Sequence, residues 1–123
     1  MTIQECYQQL GGDISEVQKR LPSVNLVKKF ITKFLDDGSF SELCLAMEEG
    51  DREKAFRAAH TLKGVSANLS LNQLLSTVIL LTEQLRTEIA DIPDEAYLFC
   101  ENVKQDYALT VHAIRTFLDS EHA

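Results

Sequence analysis

The chain has 123 residues, of which 45% are hydrophobic and 25% charged, and this predicts one soluble domain (residues 1–123) with a single core. A formal net charge of −7 argues against a nucleic-acid backbone or an anionic membrane surface as a partner. The polar start MTIQECYQQL does not resemble a signal peptide, and the longest apolar stretch, STVILL, is far shorter than the ~20 residues of a membrane span.

The N-terminal residues predict two short helical segments. Thr2 and Glu5 have the spacing of a capping box and open a helix that stops at Gly11-Gly12. Asp13 with Glu16 opens a second short turn. These segments predict a small helical extension in front of the longer helices.

Two helices with clear boundaries are expected next. Ser23 begins the first and Gly38 closes it, and its apolar residues recur at steps of three and four. Ser39 and Glu42 form another predicted capping box, and Gly50 stops that helix. The apolar positions of the first helix are Val24, Val27, Phe30, Ile31, Phe34 and Leu35.

Three further helices complete the predicted chain. Asp51 caps a helix that runs to about Asn68, and Ser70 with Gln73 has the spacing of a capping box for the next one. Ile92-Pro93-Asp94 is typical of a helix start, and that last helix extends to about residue 118. The apolar stripe of the middle helix is Leu71, Leu74, Val78, Leu81, Leu85 and Ile89, and that of the last is Phe99, Val103, Tyr107, Thr110, Val111, Ile114 and Phe117.

No segment shows sustained period-two alternation or a hairpin turn, so the predicted fold class is all-α. Four long amphipathic helices joined by short loops predict an antiparallel four-helix bundle with a short N-terminal helical extension. Three widely spaced cysteines, Cys6, Cys44 and Cys100, favour reduced thiols in the cytoplasm over a disulfide framework or a zinc site.

The stretch AHTLKG, residues 59–64, places a histidine at the middle of a predicted helix. At about 100° per residue, Lys63 and Gly64 lie within roughly 60° of His60, whereas Leu62 and Val65 lie on the apolar far side. His60 is therefore expected to face solvent. Phe56, Arg57 and Ala67 share its face.

This face suits the carriage of a phosphoryl group. A neutral imidazole is a good nucleophile near pH 7, since its unperturbed pKa is about 6.5. Lys63 can offset part of the charge of a phosphate, and Gly64 lets a partner approach the ring. Residues 51–64 hold four cations and two anions, a local balance of +2 within a chain of −7.

The motif AHTLKGVSANLS, preceded by AMEEGDREKAFRAAH, resembles the signature of histidine-containing phosphotransfer (HPt) domains, which carry phosphoryl groups in phosphorelays. The resemblance implies that His60 is the phosphoacceptor, Lys63 the phosphate-side lysine and Gly64 the small contact residue. It implies reversible exchange with the aspartate of a receiver domain and no kinase activity of its own. The expected partners are response-regulator receiver domains, with a hybrid sensor histidine kinase as a further candidate. No cofactor or metal belongs to this chain, because Mg²⁺ is expected on the receiver.

Two positions depart from the family's pattern. The family often has glycine where this chain has Ser70, and the predicted capping role of Ser70 would replace a flexible turn. Some members brace the histidine with a glutamine on the following helix, a position that Thr82 occupies here with Gln84 nearby. On that helix Leu75 and Ile79 fall off the main stripe, so they either complete the core or form an apolar docking surface with Phe56.

Two other functions compete with phosphoryl carriage. A helical adaptor that binds a receiver or another signalling protein without phosphoryl transfer would make His60 incidental. A dimerisation region of a histidine kinase is disfavoured, since Thr61 follows His60 where an acidic residue is expected. His112 and His122 are expected to be solvated. The chain is expected to be a monomer, and Met1 favours a standalone protein over a piece of a larger sensor.

Overall fold

A computed structural model describes residues 1–121, which form seven helices and no strand. The prediction of an all-α fold is therefore confirmed. No helix in this part of the chain combines the length and apolar character that crossing a bilayer requires. The helices are α1 (Ile3–Gln9), α2 (Ile14–Val17), α3 (Val24–Phe34), α4 (Ser39–Glu49), α5 (Arg52–Asn68), α6 (Asn72–Leu85) and α7 (Asp94–Glu121).

Several predicted helix boundaries are confirmed by their hydrogen bonds. Thr2 and Glu5 form the reciprocal capping box, with backbone-to-side-chain distances of 3.0 and 3.1 Å. The Ser23 hydroxyl accepts from the backbone N–H of Leu26, which fixes the start of α3. At the other end of α4, Gly50 has a φ of 70°, a left-handed conformation that glycine adopts without steric cost.

The predicted capping box at Ser39 is wrong. Ser39 is already the first residue of α4, and Gly38, predicted to close α3, precedes α4 without a side-chain cap. The Asp37 carboxylate instead accepts from the backbone N–H of Ser39 at 2.9 Å. Aspartate and serine side chains both accept hydrogen bonds from backbone N–H groups at helix starts. Sequence spacing alone therefore does not show whether Asp37 or Ser39 is the acceptor.

The predicted capping box at Ser70 is also wrong. Ser70 lies in the α5–α6 turn with a φ of 52°, and the residue before α6 is Leu71. The Ser70 hydroxyl bonds the guanidinium of Arg20 and the carboxylate of Glu16 rather than the start of α6. A left-handed backbone at this position explains why glycine is common there in the family that the sequence resembles.

The consecutive helices α4, α5, α6 and α7 pack against one another as neighbours. Arg52, at the start of α5, donates to the carbonyl of Leu85, at the end of α6, so these helices run in opposite directions. Tyr97, near the start of α7, donates to the carbonyl of Met47, near the end of α4. Both contacts support the antiparallel order predicted from the sequence.

The buried stripe of α6 ends one turn earlier than predicted. The predicted stripe residues Leu71, Leu74, Val78, Leu81 and Leu85 are buried. Ile89 is 67% exposed, because α6 ends at Leu85 and a loop follows. In α3, Val24 and Phe30 each remain 37% exposed, although Val27, Ile31 and Phe34 are buried.

The N-terminal segments close one end of the α5–α6 pair. The Tyr7 hydroxyl donates to the carbonyl of Leu69 at 2.9 Å. Arg20 donates to the carbonyls of Ala67 and Asn68, the last residues of α5. Carbonyls at a helix end have no partner within the helix, so these donors fix the C-terminus of α5.

Candidate functional site

The two faces of α5 differ in burial as the sequence predicts. On the inner face, Ala55, Ala58, Ala59 and Leu62 are buried in the core. Three of these four are alanines, whose small side chains let the neighbouring helices approach closely. Because the interior is filled from this side, the opposite face of α5 is left open to solvent.

His60 lies on that open face, at the middle of α5, and is exposed. The ring of Phe56, one turn earlier, lies beside its imidazole, with ring centroids 6.1 Å apart and 29° between the ring planes. Within residues 1–121 no side-chain hydrogen bond involves His60. An accessible imidazole in contact with a single aromatic ring is able to act as a nucleophile toward another protein.

Lys63 and Gly64 follow His60 on the same side of the helix. Lys63 is half-buried and forms none of the ion pairs found among the described residues. Gly64 is exposed, and a Cβ added to it would meet no atom within 4 Å. The packing of this protein therefore gives no reason for glycine at position 64.

The other residues predicted beside His60 on α5 occupy its two flanks. Arg57 and Ala67 are exposed, and Phe56 is half-buried against the core. Arg57 also lines a groove of about 440 Å³ between α4 and α5, together with the exposed Leu45. A partner centred on His60 would therefore meet both charged and apolar surface.

Leu75 and Ile79 lie on α6, the helix that packs against α5. Leu75 is half-buried and Ile79 is 40% exposed. Arg86 lies about two helical turns beyond Ile79 on the same side of α6. Its guanidinium lies 5.2 Å from the centroid of the Phe56 ring. The side of α6 that carries Ile79 thus borders the Phe56–His60 pair.

Within residues 1–121 neither residue proposed as a histidine brace, Thr82 or Gln84, forms a hydrogen bond with His60. Thr82 is fully buried, and its hydroxyl donates to the carbonyl of Val78 at 2.7 Å. Gln84 lies about three turns from Gln73 on the same side of α6, and Gln73 bonds Asp106 of α7. This spacing places half-buried Gln84 on the side of α6 where Gln73 contacts α7.

Comparison with known proteins gives one result. A family model described as the Hpt domain matches residues 25–117, which is most of the chain. The chain belongs to the Hpt domain family. Hpt domains are phosphocarrier modules that take part in phosphorelay histidine phosphotransfer in two-component signalling, and they interact with receiver domains and kinases. No curated protein and no solved structure gives a significant match.

Sequence reasoning missed two features of this Hpt domain. Arg86 was not identified, although a helical wheel of α6 places it on the side of Leu75 and Ile79. The second feature is a groove of about 350 Å³ formed where α3 meets the last turns of α5, with Phe30, Lys33 and Asn68 in its wall. The only sequence feature that indicates this groove is the side of α3 that is expected to remain exposed.

The cysteines of the Hpt domain do not offer a competing nucleophile. Burial raises the pKa of the Cys6 and Cys100 thiols to about 11, and it also raises the pKa of Cys44. Thiols with raised pKa values hold little reactive thiolate near neutral pH. His112 is exposed on α7, whereas His122 lies outside the described residues. Residues 1–121 contain no group of three or more His, Cys, Asp or Glu side chains that could hold a metal ion.

Proposed function

We propose that this protein is a phosphorelay intermediate in which His60 accepts a phosphoryl group from a receiver-domain aspartate and passes it to another receiver domain. The observation that carries the proposal is the exposure of His60 in the middle of α5, one turn from Lys63 and beside the open position at Gly64. We further propose that the transfer takes place in the cytoplasm and that the protein has no kinase activity of its own.

The transfer is a displacement at phosphorus. The lone pair of the imidazole Nε2 forms a new N–P bond while the P–O bond to the receiver aspartate breaks, and the aspartate leaves as a carboxylate. In the second half-reaction another receiver carboxylate attacks, the N–P bond breaks, and the electron pair returns to Nε2. Nδ1 lies nearer the backbone, which makes Nε2 the more accessible nitrogen.

Charge near His60 favours the phosphorylated state. A phosphoryl group adds nearly two negative charges, and Lys63 lies one helical turn away from the ring that carries it. The local balance of +2 in residues 51–64 acts in the same direction, in a chain whose total is −7. Little further stabilisation is expected from this protein, because the Mg²⁺ that neutralises the reacting phosphate belongs to the receiver.

The receiver is proposed to dock over the outer face of α5 and the adjoining side of α6. Phe56, Leu75 and Ile79 supply partly exposed apolar surface, and Arg57 supplies a cation beside it. Ala67 and Gly64 are small, so the backbone of α5 is open to close approach between these side chains. Apolar contacts surrounded by polar groups are typical of a specific but reversible interface.

The test is transfer of a radiolabelled phosphoryl group. Receiver domains phosphorylated on aspartate are mixed, with Mg²⁺, with the wild-type protein, with His60→Gln and with His112→Gln as an exposed-histidine control. We expect acid-labile, base-stable label on the wild type and the control and none on His60→Gln. Equal label on His60→Gln would refute the assignment of the site. A protein that binds receivers but takes no label from any of them would instead be an adaptor.

A further inference from the structure

Three side chains from two helices form a stack next to the reacting imidazole. The rings of His60 and Phe56 have centroids 6.1 Å apart, and the guanidinium carbon of Arg86 lies 5.2 Å from the Phe56 centroid. Both distances fall within the ranges over which aromatic pairs and cation–π pairs attract each other. The stack links the C-terminal end of α6 to the middle of α5.

An ion pair and a neighbouring backbone hydrogen bond accompany the Arg86–Phe56 contact. Its Nε donates to the carboxylate of Glu83 at 3.3 Å, within the last turn of α6. The residue before it, Leu85, accepts a hydrogen bond at 3.0 Å from Arg52 at the start of α5. The two arginines thus tie the same end of α6 to α5, and the guanidinium of Arg86 is left facing the Phe56 ring.

The stack orients the His60 ring, which no side-chain hydrogen bond does within residues 1–121. The Thr82 hydroxyl is engaged with Val78, and Gln84 lies on the α7 side of α6. Within residues 1–121 the contact identified at the His60 ring is the one with Phe56. An inclined aromatic pair at this distance restricts the rotation of the imidazole, and the residue as a whole remains exposed to a partner.

We propose that Phe56 and Arg86 are positioning residues for phosphoryl transfer, which orient the His60 ring by stacking in place of a hydrogen-bonded brace. This inference rests on the proposed function and deepens it. Phe56 restricts the orientation of the imidazole plane by stacking beside it, and Arg86 restricts the orientation of the Phe56 ring in the same way.

The kinetic test compares matched substitutions at both positions. Phe56→Leu keeps an apolar side chain against the core but removes the ring, and Phe56→Tyr keeps the ring. Arg86→Gln removes the cation, whereas Arg86→Lys keeps the charge without the planar group that stacks. Arg115→Gln, at an exposed position on α7, is the control. Transfer from a phosphorylated receiver is measured over a range of receiver concentrations.

We expect the maximal transfer rate to fall about two- to fivefold in Phe56→Leu and Arg86→Gln, the size of one exposed cation–π contact. The receiver concentration for half-maximal rate should stay unchanged in Arg86→Gln, because Arg86 is not among the proposed docking residues, whereas Phe56→Leu also removes part of the docking surface and should raise that concentration as well. Phe56→Tyr should restore the rate, Arg86→Lys should not, and Arg115→Gln should match the wild type. The His60 ring-proton resonances should move in Phe56→Leu and Arg86→Gln, since the stacking geometry changes.

Wild-type maximal rates in Phe56→Leu and Arg86→Gln overturn the inference, as does a change confined to the half-maximal concentration, which would indicate docking. If Phe56→Leu does not fold, Arg86→Gln decides, because the Arg86 side chain is 53% exposed and its loss does not open the core. Failure of the proposed function is a separate result, because in that case the wild-type protein takes label from no receiver.

Discussion

Packing within the protein explains the residues on one face of α5 but not those on the other. On the inner face, the alanines and Leu62 are buried, and their sizes fit the approach of the neighbouring helices. On the outer face, His60, Lys63 and Gly64 make few contacts with the rest of the protein. Folding explains the first set and leaves the second unexplained. A residue that costs stability and has no internal contact to justify it points to a partner.

Gly64 illustrates this difference most directly. A glycine inside a helix costs roughly 1 kcal/mol relative to alanine. Here the cost is not offset by packing, since the space beyond its Cα is empty, and Gly64 is not among the described residues with positive φ. The reason for glycine at position 64 must therefore lie outside the folded chain. The proposed phosphorelay function supplies such a reason, the close approach of a partner.

The largest effect is expected from a pair of substitutions on opposite faces of α5. Leu62→Ala should lower the free energy of unfolding by about 2–5 kcal/mol, because it leaves a cavity in the core. His60→Gln should change it by less than about 0.5 kcal/mol, as for other surface positions. Urea denaturation measures both values. A loss of stability in His60→Gln comparable with that in Leu62→Ala would show that the histidine is structural.

A smaller effect on function is expected at Lys63. Lys63→Gln should slow phosphoryl transfer by about 10- to 150-fold, since a hydrogen bond to a charged group contributes about 1.5–3 kcal/mol. Lys54→Gln, on the same helix but away from the face of His60, serves as the control. Rates are measured with labelled receiver at two salt concentrations. Equal rates for the two variants would mean that Lys63 does not contact the phosphate.

The smallest effect is expected at Gly64, with opposite signs for folding and function. Gly64→Ala should raise the free energy of unfolding by about 1 kcal/mol, because alanine is the better helix former. The same variant should transfer more slowly, since its Cβ occupies space where the partner approaches. Thermal denaturation and transfer assays on one preparation test both. A stabilised variant with the wild-type rate would remove Gly64 from the interface.

The sequence predicted the parts of the fold that depend on periodicity and local hydrogen bonds. The capping residues Thr2 and Asp51 and the glycine end of α4 were predicted correctly, as were the apolar steps in α3 and α6 apart from the exposed residues Val24, Phe30 and Ile89. Each of these signals involves residues within a few positions of one another. The exposure of His60 was predicted for the same reason, because a helical wheel needs only the spacing within α5.

The error at Ser39 arose locally, from Asp37 two residues away, but other errors came from contacts between distant parts of the chain. Ser70 looked like a helix cap, but Arg20 and Glu16, some fifty residues earlier, bind its hydroxyl. Arg86 was missed because its partner, Phe56, lies on another helix. The brace was sought at Thr82 by alignment with a family pattern, whereas the burial of that residue depends on how α6 packs. Local spacing does not contain this information.

The hydrogen bonds at the C-terminus of α5 bear on where this protein can be divided. Family resemblance begins at residue 25, yet Arg20 and Tyr7 donate to the carbonyls that end the helix carrying His60. The carbonyl of Leu10 likewise accepts from the backbone N–H of Gln73 in the first turn of α6. A fragment trimmed to the recognisable region would leave these groups without their partners. The region that matches the family model is thus smaller than the region that holds the helix carrying His60 in place.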